Sequence, residues 1–162
     1  MRAENLADLY RLTAERFGPL PAFATRQPDQ SWEPLSFRSL YERGRAIGEG
    51  LIALGMQARE TVGLFSDNRV EWILADAGIQ LAGAVNSPRG IDLTDGELVH
   101  IVNHSGMKIA FVENPAMAGR CLELREQLPG LRVLIQLDTS EEPPEGVIRL
   151  GDLETFGRSR LE

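Results

Sequence analysis

The chain has 162 residues, of which 43% are hydrophobic and 25% are charged, and its formal net charge is −7. This length and composition are typical of one globular domain, and the negative charge disfavours nucleic acid as a partner because such binding depends on Lys and Arg. No apolar run approaches the ~20 residues that cross a bilayer, and the N-terminus "MRAENLADLY" lacks the apolar core of a signal peptide, so the sequence predicts a cytoplasmic protein.

The first 35 residues predict one helix followed by a small β-hairpin. Asn5 is a good N-cap for a helix that ends at Phe17, before a Gly-Pro pair. Ala22–Arg26 and Trp32–Leu35 flank "QPDQS", whose Pro, Asp and Ser favour a chain reversal. Because proline lacks a backbone N–H, Pro34 is expected to keep the second strand at a sheet edge.

A long helix is predicted next. Ser36 is its N-cap, the helix runs to Leu54, and Gly55 suits the left-handed position that follows a helix. Gly44 and Gly48 lie on its apolar stripe. Since a glycine in a helix costs up to about 1 kcal/mol relative to alanine, these two predict close backbone packing against a neighbouring element.

Short apolar runs then alternate with helical patterns. Runs without a polar face are typical of parallel strands covered on both sides, so the sequence predicts an α/β fold with right-handed crossovers and a mostly parallel sheet flanked by helices. The predicted strands are 61–65, 84–87, 108–112 and 132–137, and the predicted helices are 70–81, 94–104, 115–128 and 151–160. The acidic, proline-rich segment 138–150 is predicted to be a loop.

Polar side chains follow three of these strands. Ligands of open α/β sheets bind at the carboxyl ends of the strands, and here those ends carry Asp67-Asn68, Glu113-Asn114 and Asp138. One interpretation is a ligand-binding rim. The other is that Asp67 or Asn68 caps the helix that begins near Val70, and the general preference for Asx at helix starts favours this cap.

Three other residues could carry chemistry. His100 and His104 lie one helical turn apart, as zinc ligands can, but Ile101 stands where a metalloprotease helix needs Glu. The single cysteine, Cys121, falls in a helical pattern and is interpreted as a small buried hydrophobe. The sequence contains no Walker A loop, no Gly-x-Gly-x-x-Gly and no Gly-x-Ser-x-Gly motif, so no complete active site is visible.

The order of motifs resembles the N-terminal region of the AMP-forming acyl-CoA synthetases. The segment "PLSFRSLYERGRAIGEGLIALGMQARETVGLFSDNRVEWILADAGIQLAGAVNSP" contains the family's helix, strand and helix in order. Its matching positions are Gly55, the strand "TVGLF", Asn68, Glu71-Trp72, Gly83-Ala84-Val85 and Pro88. Glu97-Leu98 and "NHS" at 103–105 are most similar to the long-chain fatty acid members, and the resemblance extends from about Asn5 to Arg160. Departures are Ala58-Arg59-Glu60 at a turn that is more often Pro-Gly-Asp, and "RGIDLTD" after Pro88.

This resemblance implies a long-chain fatty acid–CoA ligase that uses ATP, Mg²⁺ and CoA and proceeds through an acyl-adenylate. The family's phosphate loop, its magnesium contacts and the catalytic Lys of its C-terminal lid come after this region. The resemblance therefore implies that residues 1–160 are the N-terminal α/β portion, with helix and hairpin in 1–35 and alternating α/β in 36–160. It assigns no catalytic, cofactor-binding or metal-binding residue to this chain, and residues 161–162 are interpreted as a vector remnant.

Several expectations about partners follow. The chain alone is expected to be inactive, its main partner is expected to be the remainder of its own enzyme, and the full-length enzyme is expected to bind a fatty acid. A homodimer and a peripheral position of the full-length enzyme at the membrane are further expectations. The alternative is a stand-alone, non-catalytic α/β module that binds a partner or small ligand at the rim near Asp67, Glu113 and Asp138. The two hypotheses predict different exposed surfaces. A portion of a larger enzyme should expose an apolar patch larger than the few hundred Å² that is typical of monomers.

Overall fold

A computed structural model of the chain describes residues 2–161. Within them, short strands and helices follow one another in nearly the predicted order. The helices are α1 (Leu6–Phe17), α2 (Phe37–Ala53), α3 (Val70–Leu81), α4 (Asp95–Ser105), α5 (Pro115–Glu123) and α6 (Leu150–Arg158). The strands are β1 (Pro21–Arg26), β2 (Trp32–Ser36), β3 (Thr61–Phe65), β4 (Val85–Arg89), β5 (Ile109–Val112), β6 (Val133–Gln136) and β7 (Ile148–Arg149).

Five strands form one sheet in the order β4-β3-β5-β6-β7, and every neighbouring pair is parallel. Successive side chains of β3, β5 and β6 enter two different apolar cores, as shown by Phe111, which lies in one, and Val112, which lies in the other. The first core also holds residues of α2, α3 and α6, whereas the second holds residues of α4 and α5. The sheet is thus covered on both faces, and the predicted α/β fold is confirmed.

Helix α2 packs against α3 through glycines, as the sequence predicted. The Ser36 hydroxyl accepts a hydrogen bond from the Ser39 N–H and begins the helix. A Cβ atom added at Gly44 would lie 3.0 Å from the Cβ of Ala77. One added at Gly48 would lie 3.0 Å from the carbonyl oxygen of Gly78. Glycine suits both positions because a methyl group there would require the neighbouring helix to shift by a few tenths of an ångström.

The N-terminal helix and hairpin lie against the same body. The Asn5 side chain caps α1 by accepting from the Asp8 N–H, and the Tyr10 hydroxyl donates to Asp76 of α3 at 3.0 Å. Strands β1 and β2 pair in antiparallel register, which confirms the predicted hairpin.

Several predicted elements need correction. Helix α5 ends at Glu123 and continues as a 3-10 turn over Arg125–Gln127, instead of running to Leu128, because tighter hydrogen bonds are common in a last helical turn. The predicted loop 138–150 contains β7, which pairs with β6 and is too short to show any periodicity. Helix α6 spans Leu150–Arg158 instead of 151–160, and strand β4 spans Val85–Arg89 instead of 84–87.

Two predictions concern the chain ends and membranes. The interpretation of 161–162 as a vector remnant involves Glu162, which lies outside the described residues. From residue 2 to residue 161, no helix combines the length and apolar character that spanning a membrane requires.

Candidate functional site

The carboxyl ends of β3, β5 and β6 are neighbours in the sheet, and their polar residues meet there. We call this region the rim: it consists of the segment 66–71 after β3, Glu113 and Asp138. Sequence reasoning placed these residues at one edge, and the structure brings them into direct contact.

Glu113 anchors the segment that follows β3. One of its carboxylate oxygens, Oε2, accepts from the Asp67 N–H at 2.6 Å and lies 3.1 Å from the buried hydroxyl of Ser66. The same hydroxyl lies 2.8 Å from the Asp67 carbonyl, so its single proton serves one acceptor at a time. Hydrogen bonds to a charged group are stronger than neutral ones, and this carboxylate therefore fixes the turn out of β3.

Arg69 bridges the segment after β3 and the loop after β6. Its Nε donates to Glu71 at 2.8 Å, and its Nη1 donates to Asp138 at 3.4 Å. Burial opposes the charge of Arg69, but the two carboxylates outweigh this cost and raise its pKa. The pKa of Asp138 is lowered, mainly by hydrogen bonds from the Ser140 hydroxyl and N–H and also by Arg69. Arg69, Glu71 and Asp138 are therefore paired with one another.

The predicted cap of α3 is wrong. The N-cap residue is Arg69, with an extended backbone at φ −155° and ψ 167°, and no side chain caps the helix. Asn68 and Asp67 lie one and two residues before the cap position, so their side chains do not take this role. Glu71 in the first helical turn complements the helix dipole instead. Asn114, by contrast, does cap α5, where it accepts from the Met117 N–H at 3.0 Å.

One residue of the rim region was missed by sequence reasoning. Gln136 is fully buried at the end of β6, and its Nε2 donates to the carbonyls of Asp138 and Glu141, both at 2.9 Å. It thereby holds the loop that carries Asp138. The signal was a single polar residue inside the apolar run "RVLIQL", which is unusual for a strand covered on both faces.

The remaining candidates lie away from the rim. His100 and His104 stack on the exposed surface of α4, with ring centroids 5.5 Å apart. No group of three His, Cys, Asp or Glu residues between residues 2 and 161 could hold a metal ion. Cys121 is buried, which raises the pKa of its thiol to about 11, and its interpretation as a buried hydrophobe is confirmed.

A groove of about 780 Å³ runs beside the rim. It lies between β1 and the start of α3, and its lining residues are Phe23–Arg26, Asp67, Asn68, Arg69, Val70, Glu71, Ile73 and Glu113. The lining combines apolar side chains with carboxylates. Across the part of the chain that the structure describes, no hydrogen bond joins a Ser or Cys to a His, so the rim does not have the arrangement of a nucleophile and its base. The site consists of a rigid edge and a groove.

Similarity to known proteins agrees with this fold. A family model described as "AMP-binding enzyme" matches residues 11–153. The chloroplast long-chain-fatty-acid–[acyl-carrier-protein] ligase AEE15 of Arabidopsis thaliana is 35% identical over 130 residues, which are 80% of this chain and 18% of that protein. The long-chain-fatty-acid–CoA ligase ACSBG2 of Xenopus laevis is 34% identical over 134 residues, covering 82% of this chain and 18% of that protein. The chain therefore spans about a fifth of the length of these curated relatives.

Solved structures show the same fold. The anthranilate CoA ligase AuaEII superposes with a TM-score of 0.82 at 23% identity, over 94% of this chain and 28% of that one. A putative long-chain-fatty-acid CoA ligase from Rhodopseudomonas palustris superposes with a TM-score of 0.78 at 21% identity, over 94% of this chain and 36% of that one. At these identities the likeness shows the fold alone. Together with the family match over residues 11–153, it confirms the resemblance seen in the sequence: the chain belongs to the AMP-binding enzyme family, whose members here include acyl-CoA ligases.

Proposed function

We propose that this chain is the N-terminal scaffold of a long-chain fatty acid–CoA ligase. The full-length enzyme joins a fatty acid to CoA with ATP, through an acyl-adenylate, and releases AMP and pyrophosphate. The observation that carries the proposal is the family match over residues 11–153, together with relatives at 34–35% identity whose names specify long-chain fatty acid ligases. The chain's share of those relatives, 18%, supports a role as one portion of a larger enzyme.

The residues present do not fit ATP and Mg²⁺. Adenylation requires groups that position the phosphates and stabilise developing charge. The sequence contains no phosphate-binding glycine loop, and residues 2–161 offer no three-ligand metal group. The carboxylates of Asp138 and Glu113 already accept hydrogen bonds from neighbouring residues. We therefore assign no step of the reaction to this chain and expect it to have no ligase activity by itself.

The size of the natural gene product tests this proposal first. An antibody raised against the 162-residue chain is used to detect the protein in source cells, and its mass is measured. We expect a species roughly five times heavier than 17.9 kDa, given the chain's share of its relatives. A product of 17.9 kDa would overturn the proposal and favour a stand-alone module that binds a ligand in the groove beside the rim.

Activity tests the substrate class. The purified full-length product and the 162-residue chain are each assayed for pyrophosphate release with ATP and a series of fatty acids, with reactions lacking ATP or fatty acid as controls. We expect release only from the full-length product, with long-chain acids preferred to acetate. Release from the 162-residue chain, or a preference for acetate, would contradict the proposal.

A further inference from the structure

The groove beside the rim runs along the free edge of β1. Four consecutive residues of this strand, Phe23 to Arg26, line it. Successive side chains of a strand point to opposite faces, so a groove that touches four residues in a row follows the backbone edge. Strand β1 pairs only with β2 among the described residues, and its other edge is the one available to the groove.

The hydrogen-bond pattern shows which backbone groups this edge offers. The Gln27 N–H donates to the Ser31 carbonyl at 2.8 Å, which is the hydrogen-bonded pair next to the turn. Bonded and non-bonded pairs alternate along an antiparallel ladder, so Thr25 and Glu33 form the next bonded pair. The N–H and C=O groups of Ala24 and Arg26 therefore point away from β2, toward the groove.

The other long edges are interrupted by proline. Pro34 pairs with Ala24 at a non-bonded position, so the nitrogen that lacks a hydrogen lies on the outer edge of β2. In β4, the Val85 N–H donates inward to Glu60, and by alternation Pro88 faces outward. Proline at these positions is a common protection against strand addition. Of these three edges within residues 2–161, β1 keeps its outward N–H donors, whereas proline removes one outward N–H from β2 and one from β4.

The walls of the groove define what kind of strand would fit. Phe23, which is 41% exposed, lies with Val70 and Ile73 along the groove and offers apolar surface. Asp67, Glu113 and Arg26 also line it, so the groove carries both signs of charge, whereas Arg69 is already paired with acids. An extended segment with apolar residues on one face and polar residues on the other matches the polarity of this lining.

We propose that the β1 edge is completed in the full-length protein by an extended segment from outside these 162 residues. The segment lies in the groove as an added strand, bonded to the N–H and C=O groups of Ala24 and Arg26. This inference rests on the proposed function. The relatives are about five times longer than the matched region, and we expect the full-length protein to have a similar additional length of chain from which the segment comes. With the added strand, β1 becomes an internal strand of a larger sheet, and β2 is the edge of that sheet that proline protects.

Amide hydrogen exchange at residue resolution tests the proposal. The Ala24 and Arg26 amides are compared between the 162-residue chain and the full-length product. We expect them to exchange at least about tenfold more slowly in the full-length product, because only there are they hydrogen-bonded. Thr25, which is bonded within the hairpin in both proteins, is the internal control whose rate should not change.

A variant pair separates strand addition from damage to the hairpin. Ala24→Pro removes an outward donor without touching the β1–β2 ladder, so it should lower the Tm of the full-length product but leave that of the 162-residue chain nearly unchanged. Pro34→Ala, on the opposite edge, should leave both unchanged. Equal rates for Ala24 and Arg26 in the two proteins, or equal effects of Ala24→Pro, would overturn this inference alone. A gene product of 17.9 kDa would overturn the proposed function and this inference together.

Discussion

At the residue scale, two asparagines that follow strands have different roles. Asn114 accepts from the Met117 N–H and caps α5, whereas Asn68 precedes the N-cap of α3 and caps nothing. The side chain type is the same, but the backbone positions relative to the helix start differ by one residue. Capping therefore depends on where the helix begins, which the surrounding packing decides.

This difference gives a paired test by denaturation. Asn114→Ala should lower the free energy of unfolding by about 1 kcal/mol, because a helix N–H loses its partner. Asn68→Ala should change it by less than about 0.5 kcal/mol. Urea unfolding of both variants measures the difference, and equal losses would indicate that Asn68 does cap α3.

Glu113 should matter more than an ordinary surface acid. Glu113→Ala leaves the Asp67 N–H without its charged acceptor, and we expect a loss of about 1–3 kcal/mol. Glu126, which is exposed in the 3-10 turn, is the matched control, and Glu126→Ala should cost less than about 0.5 kcal/mol. Similar losses for the two variants in urea unfolding would show that Glu113 does not anchor the segment after β3.

The Cys121 thiol gives a prediction for pH dependence. Burial raises its pKa from about 9 to about 11, so between these values the folded chain keeps a proton that the unfolded chain releases. The contribution of this group to stability is therefore complete below pH 9 and is lost as the pH rises toward 11. Cys121→Ala should flatten the alkaline loss of stability measured by urea unfolding at several pH values. An unchanged slope would show that the thiol ionises equally in both states.

At the element scale, the C-terminal helix is joined to α2 by a close crossing. A Cβ atom added at Gly157 would lie 1.8 Å from the Ala46 carbonyl oxygen, so the helices touch through backbone. Beside this contact, Arg43 of α2 donates two parallel hydrogen bonds to the buried carboxylate of Glu154, at 3.1 and 2.9 Å. Arg158 of α6 also donates to this carboxylate at 2.8 Å, so the crossing is specified by both shape and charge.

Glycine substitutions in α6 separate these effects. Gly157→Ala should destabilise the chain by at least about 1–3 kcal/mol, because the added methyl group can be placed only if the helices move apart. Gly151→Ala in the same helix meets no atom within 4 Å, and should be neutral or stabilising by up to about 1 kcal/mol. Thermal unfolding followed by circular dichroism compares the two, and a neutral Gly157→Ala would show that the crossing is looser than described.

At the scale of the whole molecule, large apolar side chains are exposed near the N-terminal helix and hairpin. Trp32 is 64% exposed, and Leu6, Leu9, Leu20 and Phe23 are also exposed on α1, on β1 and beside them. Contiguous apolar surface above a few hundred Å² is uncommon on self-sufficient monomers and marks interaction sites. We expect these side chains to form such a surface and to pack against further protein.

A hydrophobic dye tests where this surface lies. The 162-residue chain should bind the dye, and Trp32→Ser should reduce the fluorescence substantially. Phe156, which is 49% exposed on α6 and distant in sequence from the hairpin, is the control position, and Phe156→Ser should reduce it much less. A chain that binds no dye, or equal reductions by both variants, would contradict an N-terminal docking surface.

The sequence by itself determined the class of fold and most element positions. Apolar runs such as "TVGLF", glycine after Leu54 and the polar turn before Trp32 are local signals, since hydrophobic period and turn chemistry depend on residues within a few positions of each other. The same locality explains the misplaced end of α5 and the missed β7. A strand of two residues has no period, and a helix end is set by the packing around it.

Only the tertiary structure decided what the rim is. The sheet order β4-β3-β5-β6 places Glu113 beside Asp67, and Arg69 beside Asp138, although 46 and 69 residues separate them along the chain. Carboxylates that could have met a ligand therefore bind the segment after β3 instead. Likewise, Phe23–Arg26 face a groove only because α3 lies across from them. Such pairings arise when distant segments close on one another, and no local pattern in the sequence encodes which residue will lie opposite.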